Sequence, residues 1–398
     1  MKQRLSILFL SLVASVGIIC AQGIGANLTY KKSVDTLIIS GTGEMRDFFG
    51  YGSNDNAPWV TNYPYGSDIK HVVVSEGVTR IGNYAFYSLR NLKSVTIPKS
   101  VISVGRGILA YCDSYIKSHT TADGTLYIND CLVFINTGVF NGNIKEGTRV
   151  IAEQLTSASF TLDSITIPKT VKYIGSDAFW GVFHTKTKYT GDIENWLKIT
   201  FGNGSSNPIC QSHNLYINEQ KIEDLVIPNT IDTINAHAFR NWHGKSITLG
   251  RDLQKCGNAF YGCDSIKYII SKSVVPPSIG TVFSSNPLCY IPCGTLNAYF
   301  GSKWKESCYQ FIEQSSVYDI TLLTNNSYGI AKVASRPDCN SAILTAIPNE
   351  GCTFVKWSDG NTQATRYLEV TKDINLTAYV AKEGYTIHVY QDCNTTIE

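Results

Sequence analysis

The sequence predicts a mainly β protein: a solenoid of short repeats, each a strand with a short irregular or helical return, followed by a small all-β module. Three observations predict this fold. Thr, Ile, Val and Tyr are plentiful, whereas charged residues make up only 17% of the 398 residues. One motif recurs at a fixed spacing along most of the chain. Beyond residue 318, apolar and polar residues alternate between turns that contain Asn and Gly.

The first 21 residues are expected to be a secretory signal peptide that is cleaved after Ala21. Lys2 and Arg4 provide a basic start, and residues 5–19 form an apolar or small stretch that is short for a membrane span. A lipoprotein signal at Cys20 is the alternative, although the residues before Cys20 are not the small ones that such a signal needs. Either way, the protein is expected to be secreted or attached to the cell surface.

The charge balance limits the possible partners. Loss of the leader removes two of the 34 basic residues and none of the 32 acidic ones, so 32 of each sign remain. A zero net charge argues against nucleic acid or an anionic membrane as the main partner, because both need a concentrated basic surface. No later segment is long enough to span a membrane. The expected partner is an extracellular protein or glycan.

The repeat combines an apolar residue, a second one four positions later, an Ile-Gly pair and an Ala-Phe pair. It reads IPKTVKYIGSDAF at 167–179 and IPNTIDTINAHAF at 227–239, and neighbouring copies are spaced by 22 or 23 residues. Each copy starts with a strand whose first and third residues face the core, and neighbours must stack because one repeat cannot bury its own apolar side. The copies between 97 and 167 are degraded, which predicts distorted geometry there. The predicted core comprises Ile81, Phe86, Val95, Ile97, Ile167, Phe179, Ile227 and Phe239.

This pattern resembles the BspA-like leucine-rich-repeat family of bacterial surface proteins over roughly residues 27–313. The resemblance implies a secreted adhesion or interaction protein. It also implies an N-terminal β cap at 22–66 and a solenoid at 67–313. The solenoid would include a hairpin insertion near 185–222 and a closing segment at 274–313.

Residues 314–383 are predicted to form a compact β module, which resembles a divergent internalin-type bacterial β repeat. It should be joined to the solenoid by a short segment near 314–316, and Trp357 should pack beneath the Ser-Asp-Gly-Asn turn that follows it. Residues 384–398 repeat only the start of this module. The natural chain is therefore expected either to continue past Glu398 or to be a shortened relative. The predicted module core is Ile320, Leu344, Phe354, Trp357, Leu368, Val370 and Leu376.

The cysteines and histidines predict no active site. Cys112, Cys256 and Cys263 occupy apolar columns of the repeat and should be buried and unpaired. A structural thiol or disulfide is favoured over a metal site for the closing-segment cysteines, because their CxxxC spacing has no histidine nearby. No HExxH, phosphate-binding loop or GxSxG motif occurs, so no enzyme, cofactor or metal is expected. The closing-segment cysteines are Cys289, Cys293 and Cys308.

The outward strand positions form the candidate ligand face, although a purely solvated face would explain the same residues equally well. The first functional hypothesis is protein contact through this face. The alternative is a non-catalytic glycan-binding accessory protein that uses Tyr189 and Trp196 as exposed aromatic residues of the insertion. The face comprises His71, Ser94, Thr96, Ser164, Thr166, Asp224, Val226, Ser246, Thr248 and Tyr268, with Val73 and Ile270 beside them.

Overall fold

The computed structural model describes residues 23–50, 55–60, 68–280, 283–314, 318–336 and 341–384. The chain folds as two compact units, Met1–Gln220 and Lys221–Glu398. The mainly β fold class is confirmed. The predicted leader with its cleavage site, residues 315–316 of the predicted connection, and the predicted unfinished repeat beyond Gly384 lie outside the described residues.

The first unit consists of short strands and three short helices. The helices are α1 Asp113–His119, α2 Ile193–Leu197 and α3 Ile209–Ser212. The strands are β1 Leu28–Ser33, β2 Thr36–Gly41, β3 Gly43–Glu44, β4 His71–Val74, β5 Val78–Ile81, β6 Ser94–Thr96, β7 Ser103–Val104, β8 Thr125–Ile128, β9 Cys131–Ile135, β10 Val150–Ile151, β11 Phe160–Ile167, β12 Tyr173–Ile174, β13 Val182–Tyr189, β14 Thr200–Phe201, β15 Leu215–Ile217 and β16 Gln220–Lys221.

Two ladders start at the N-terminal end of this unit. The antiparallel hairpin β1–β2 opens a sheet of order β1-β2-β4-β6, to which the repeat strands β4 and β6 add in parallel. The return segments form a second parallel sheet, β3-β5-β7. Trp59 anchors the entry to the repeats, because its buried indole Nε1 donates to the Ala85 carbonyl at 2.8 Å.

The degraded copies have distorted geometry, as predicted, because helix α1 and the hairpin β8–β9, together called the central insertion here, interrupt the repeats. After the second return the chain forms α1 and the antiparallel hairpin β8–β9. Strand β9 pairs with β10, and β10, β12 and β14 continue in parallel, so the sheet has the order β14-β12-β10-β9-β8. Strands β11, β13, β15 and β16 form a separate sheet. Among the described strands of this unit, β6 and β11 therefore belong to different sheets.

The second unit contains a repeat part and the C-terminal module. The repeat part has strands β17 Asp224–Val226, β18 Ser246–Leu249, β19 Lys255–Gly257, β20 Tyr268–Ser271, β21 Ser278–Ile279, β22 Leu288–Pro292 and β23 Gln310–Gln314, with helix α4 Leu296–Phe300 and a 3-10 helix at Lys303–Glu306. Strands β17-β18-β20-β22-β23 form one parallel sheet, and β19 pairs with β21.

The predicted repeat core is confirmed, since all eight residues are at most 8% exposed. In the second unit, the Phe column continues as a series of ring contacts. The centroid of Phe260 lies 5.3 Å from that of Phe239 and 5.6 Å from that of Phe283, and Phe283 lies 5.9 Å from Trp304. This series forms the centre of the repeat core in that unit.

The cysteine predictions are also confirmed. Cys112, Cys256 and Cys263 are buried, and their sulfurs are reduced thiols. Burial raises the pKa of the Cys256 thiol to about 12, which keeps it protonated and unreactive. In the closing segment Cys289 and Cys308 form a disulfide with a Cα–Cα distance of 5.8 Å, and Cys293 is disulfide-bonded as well.

A left-handed backbone recurs at two positions of the returns, which the sequence analysis did not predict. The first directly precedes the Ala-Phe pair or its replacement, and the second lies two residues after the Phe column. Left-handed backbone is costly for residues other than Gly, Asn and Asp. The first column contains Tyr84, Gly107, Gln154, Asp177 and His237, and the second contains Ser88, Tyr111, Gly181, Asn241 and Gly262.

The C-terminal module is all β, as predicted. Its strands are β24 Ile320–Thr324, β25 Gly329–Ser335, β26 Ser341–Pro348, β27 Cys352–Trp357, β28 Thr365–Glu369 and β29 Ile374–Lys382. They form two three-stranded sheets, β24-β29-β27 and β25-β26-β28. Arg251 and Lys272, which follow β18 and β20, form ion pairs with Asp373 and Asp319 of the module.

The core of this module agrees with the predicted one. Leu344, Trp357, Val370 and Leu376 are buried, and the other three predicted residues are half-buried and pack against them. Trp357 lies beneath its turn: its indole Nε1 donates to the Gln363 carbonyl at 2.9 Å. The polar end of the ring is thus satisfied while its apolar part fills the core.

Candidate functional site

In the first unit, the predicted face is divided between two sheets. His71 and Ser94 are neighbours on β4 and β6, and His71 Nδ1 lies 2.7 Å from Ser94 Oγ. Thr96 lies further along β6 and is exposed. Ser164 and Thr166 lie on β11, which pairs with β13 and belongs to the separate sheet. The first unit therefore offers two small polar surfaces in place of one continuous stripe.

In the second unit, the candidate residues form one continuous surface, because five parallel strands bring them into register. One row across the strands reads Asp224, Ser246, Tyr268, Leu288 and Gln310. A second row on the same face, two residues further along each strand, contains mainly apolar residues and is called the apolar row here. It consists of Val226, Thr248, Ile270, Tyr290 and Ile312.

The apolar row is accessible to solvent. Val226 is 58% exposed, and Ile270, Tyr290 and Ile312 are half-buried. Tyr268 in the neighbouring row is 37% exposed, and its ring meets that of Tyr290 edge to face with the centroids 6.3 Å apart. Contiguous apolar side chains on a sheet face are typical of contact surfaces, whereas single exposed ones carry no such meaning.

Ser246 corrects the predicted face, because its side chain is only 5% exposed. Its hydroxyl donates to Asp224 Oδ1 at 2.5 Å across the β17–β18 pair. A small side chain between larger neighbours is covered by them, even though it lies on the outward side of the sheet. Ser246 thus positions Asp224 and is not itself available to a ligand.

The predicted glycan contacts are wrong, because Tyr189 and Trp196 are buried, at 2% and 0% exposure. Their ring centroids are 5.2 Å apart, and Trp196 also packs on Phe201 at 5.8 Å. Helix α2 turns Trp196 inward, and this short helix is capped by Asp192 Oδ1, which accepts from the Asn195 amide at 2.8 Å. The predicted hairpin insertion near 185–222 uses its aromatic residues for its own small core.

Charges beside the apolar row largely compensate each other. Lys245 hydrogen-bonds to Glu223, and this contact lowers the pKa of the Glu223 carboxyl. Lys221 lies 3.8 Å from the same carboxyl. The surface therefore offers apolar contact and hydrogen bonding rather than a strong field of one sign.

The sequence analysis missed the two strands that complete this surface. Leu288 and Tyr290 of β22 and Gln310 and Ile312 of β23 continue both rows. They lie in the closing segment, whose motif differs from that of the repeats. The apolar run Leu288-Cys289-Tyr290-Ile291, which is bounded by Pro287 and Pro292, is a strand signal that could have identified β22.

No group of three or more His, Cys, Asp or Glu residues with metal-binding geometry occurs within the described part of the chain. Across the same residues, no helix has the length and apolar character needed to cross a membrane.

The comparisons with known proteins concern the repeats. The model of the BspA type leucine rich repeat region matches residues 62–185 and 212–326 with six copies. No curated protein matches the chain.

Among solved structures, the chain is similar to a leucine-rich repeat protein from Bacteroides ovatus at 15% identity. This match covers 77% of this chain and 95% of that chain, with a TM-score of 0.26. A leucine-rich repeat protein from Eubacterium ventriosum matches at 15% identity over 75% and 86% of the two chains, with a TM-score of 0.23. A leucine rich cell surface protein from Faecalibacterium prausnitzii matches at 17% identity over 73% and 94%, also with a TM-score of 0.23. With its family model matched over more than half of its length, the chain belongs to the BspA-type leucine-rich-repeat family.

Proposed function

We propose that this protein is a secreted or cell-surface binding protein that contacts a protein partner through the apolar row of the second unit. Members of its family are often surface adhesion proteins, and leucine-rich repeats are generally non-catalytic. The proposed function is accordingly binding without catalysis.

The apolar row is the observation that carries this proposal. A face that is only solvated would keep polar residues at its outward positions, yet Val226, Ile270 and Ile312 are aliphatic and line up across the sheet. Tyr268 and Tyr290 add aromatic surface with hydroxyl groups, a combination that is enriched in protein interfaces. These side chains favour a protein partner over bulk solvent.

Binding to immobilised collagen, fibronectin and laminin tests the proposal, with affinities measured by surface plasmon resonance. We expect at least one of them to bind the full chain. Val226→Glu places a charge in the apolar row, and Tyr268→Ala removes aromatic surface. Each should weaken binding about tenfold or more, since contacts at the centre of an interface contribute ~1–2 kcal/mol or more.

Val275→Glu is the matched control, because Val275 is 70% exposed in the same unit but lies outside the sheet. This variant should bind like the unchanged protein. Equal loss in Val275→Glu and Val226→Glu, or no binding to any of the three proteins at high micromolar concentration, would contradict the proposal.

The alternative glycan-binding role of the predicted hairpin insertion near 185–222 loses its basis, because Tyr189 and Trp196 are buried.

A further inference from the structure

A cleft of about 510 Å³ lies in the first unit, where the degraded repeats interrupt the stack. Its volume is in the range of small-ligand sites, ~300–1,000 Å³. One wall is the return at 106–111, the opposite wall is the return at 154–158, and residues 133–137 at the end of β9 also line it.

The cleft exists because the central insertion parts two returns that would otherwise stack along their length. They remain joined at their start, where the Glu153 amide donates to the Val104 carbonyl at 2.9 Å. In the preceding pair of returns, the amides of Tyr84, Phe86 and Ser88 donate to carbonyls of residues 106, 108 and 110, at 2.8–3.0 Å. The equivalent amides one repeat later belong to Gly107, Leu109 and Tyr111. Within the described residues, none of these three amides has a hydrogen-bond acceptor.

The opposite wall presents the other half of the interrupted ladder. The carbonyls of Glu153, Leu155 and Ser157 are the equivalents of the acceptors in the intact pair. Across the described parts of the chain, these three carbonyls accept no hydrogen bond. Apart from Glu153, these residues line the cleft, which thus has three backbone donors on one wall and the carbonyls of Leu155 and Ser157 on the other.

Side chains add a positive charge and aromatic surface. The exposed guanidinium of Arg106 hydrogen-bonds to Gln154 Oε1 at 3.4 Å and lies 5.8 Å from the centre of the Tyr84 ring. Arg106 is absent from the ion pairs of the described residues, although its charge also acts on the Glu153 carboxylate, which pairs with Arg80. Tyr111, which is 53% exposed, and Phe134, which is half-buried, also line the cleft.

We propose that this cleft binds a carboxylated sugar unit of an acidic glycan. The sugar carboxylate would pair with Arg106, and its ring face would lie against Tyr111. Hydroxyl groups both donate and accept hydrogen bonds, so they can serve the amide wall and the carbonyl wall together.

An extended peptide fits this cleft less well. A strand adds to an edge whose donors and acceptors follow β geometry. Here Gly107, Tyr111 and Gln154 have φ values of +59°, +61° and +42°, so neither wall is extended. Sugar hydroxyls do not require a β register, which favours the glycan.

The test is titration calorimetry of the full chain with trigalacturonic acid and 3′-sialyllactose. Methyl-esterified trigalacturonate and lactose serve as the uncharged counterparts. We expect at least one acidic sugar to bind at least tenfold more tightly than its counterpart, since hydrogen bonds to charged groups contribute the equivalent of about tenfold or more. Added salt should weaken this binding.

Arg106→Gln and Tyr111→Ala should each reduce the affinity for the acidic sugar about tenfold or more. Arg90→Gln, at an exposed arginine outside the cleft, is the charge control, and Tyr309→Ala, at a 73% exposed tyrosine, is the aromatic control. Both should bind unchanged, and circular dichroism should show that all four variants are folded.

Four results would overturn the proposal. The first is that no acidic sugar binds at millimolar concentration, and the second is that the ester binds as tightly as the acid. The third is that Arg106→Gln and Tyr111→Ala bind like the controls. The fourth is that a Glu-rich pentapeptide displaces the sugar and binds more tightly, which would identify the cleft as a peptide site.

Discussion

The ring series in the second unit allows a quantitative test of the repeat core. Phe260 is 5% exposed and contacts Phe239 on one side, with an angle of 7° between the rings, and Phe283 on the other. Phe260→Ala removes the whole ring from this position and leaves a cavity, which typically costs about 3–5 kcal/mol. Phe260→Leu keeps most of the apolar volume and loses two ring pairs, each contributing ~0.5–1.5 kcal/mol, so its expected cost is ~1–3 kcal/mol.

Urea unfolding measures both costs, with the fluorescence of the buried Trp242 and Trp304 as reporters in the same unit. Tyr261→Ala is the neighbouring control, because Tyr261 is 46% exposed and its ring is contacted mainly by the Arg240 guanidinium. It should cost less than about 1 kcal/mol. A cost for Phe260→Ala as small as that of Tyr261→Ala would refute the reasoning that the Phe column forms the core.

Three further predictions concern pH, backbone conformation and the disulfide. Burial lowers the pKa of His184 from 6.5 to about 4, because the folded protein favours the neutral imidazole. The unfolding free energy is therefore highest above pH 6.5 and decreases as the pH falls to about 4. The loss is on the order of 3 kcal/mol, and urea unfolding of His184→Gln across this pH range should show a weaker dependence. Gly181→Ala should cost ~1–2 kcal/mol in thermal unfolding because Gly181 has a φ of +80°, whereas Gly138→Ala, without a positive φ, should not show this cost. The double variant Cys289→Ser, Cys308→Ser removes the disulfide between cysteines 19 residues apart without reducing that of Cys293; it should lower the unfolding free energy by ~3 kcal/mol, and no change in the urea midpoint would contradict this.

The sequence predicted features that recur in columns. Cys112 and Cys263 occupy equivalent positions three residues after the Phe column, and their burial could be inferred from larger apolar residues in the other copies. The same comparison failed for the predicted hairpin insertion near 185–222, since Tyr189 and Trp196 have no counterparts in the repeats. Nothing in a single sequence shows whether such aromatic residues pack on each other or face solvent.

The sequence did not predict the two left-handed columns for a different reason. In the first column Gly107 suggests such a backbone, but Tyr84, Gln154 and His237 occupy the same position in other copies. Stacking hydrogen bonds between neighbouring returns stabilise this conformation in residues that would avoid it in isolation. The sequence analysis missed the cleft because the cleft forms where the central insertion prevents hydrogen bonds between two returns. Whether such bonds form depends on how far apart two repeats lie in space.

The interrupted ladder also has a consequence for how the first unit unfolds. Stacked repeats behave as a linear array in which cooperativity passes through the interface between neighbours. The amides of Gly107, Leu109 and Tyr111 contribute no hydrogen bonds to that interface within the described residues, although Glu153 still bonds to Val104 and pairs with Arg80 across it. We therefore expect the repeats before and after the central insertion to be coupled more weakly than directly stacked ones. Native-state hydrogen exchange should therefore reveal two separately opening segments, one on each side of the insertion. An insertion that creates a cleft in a repeat protein thus also creates a boundary at which partial unfolding can stop.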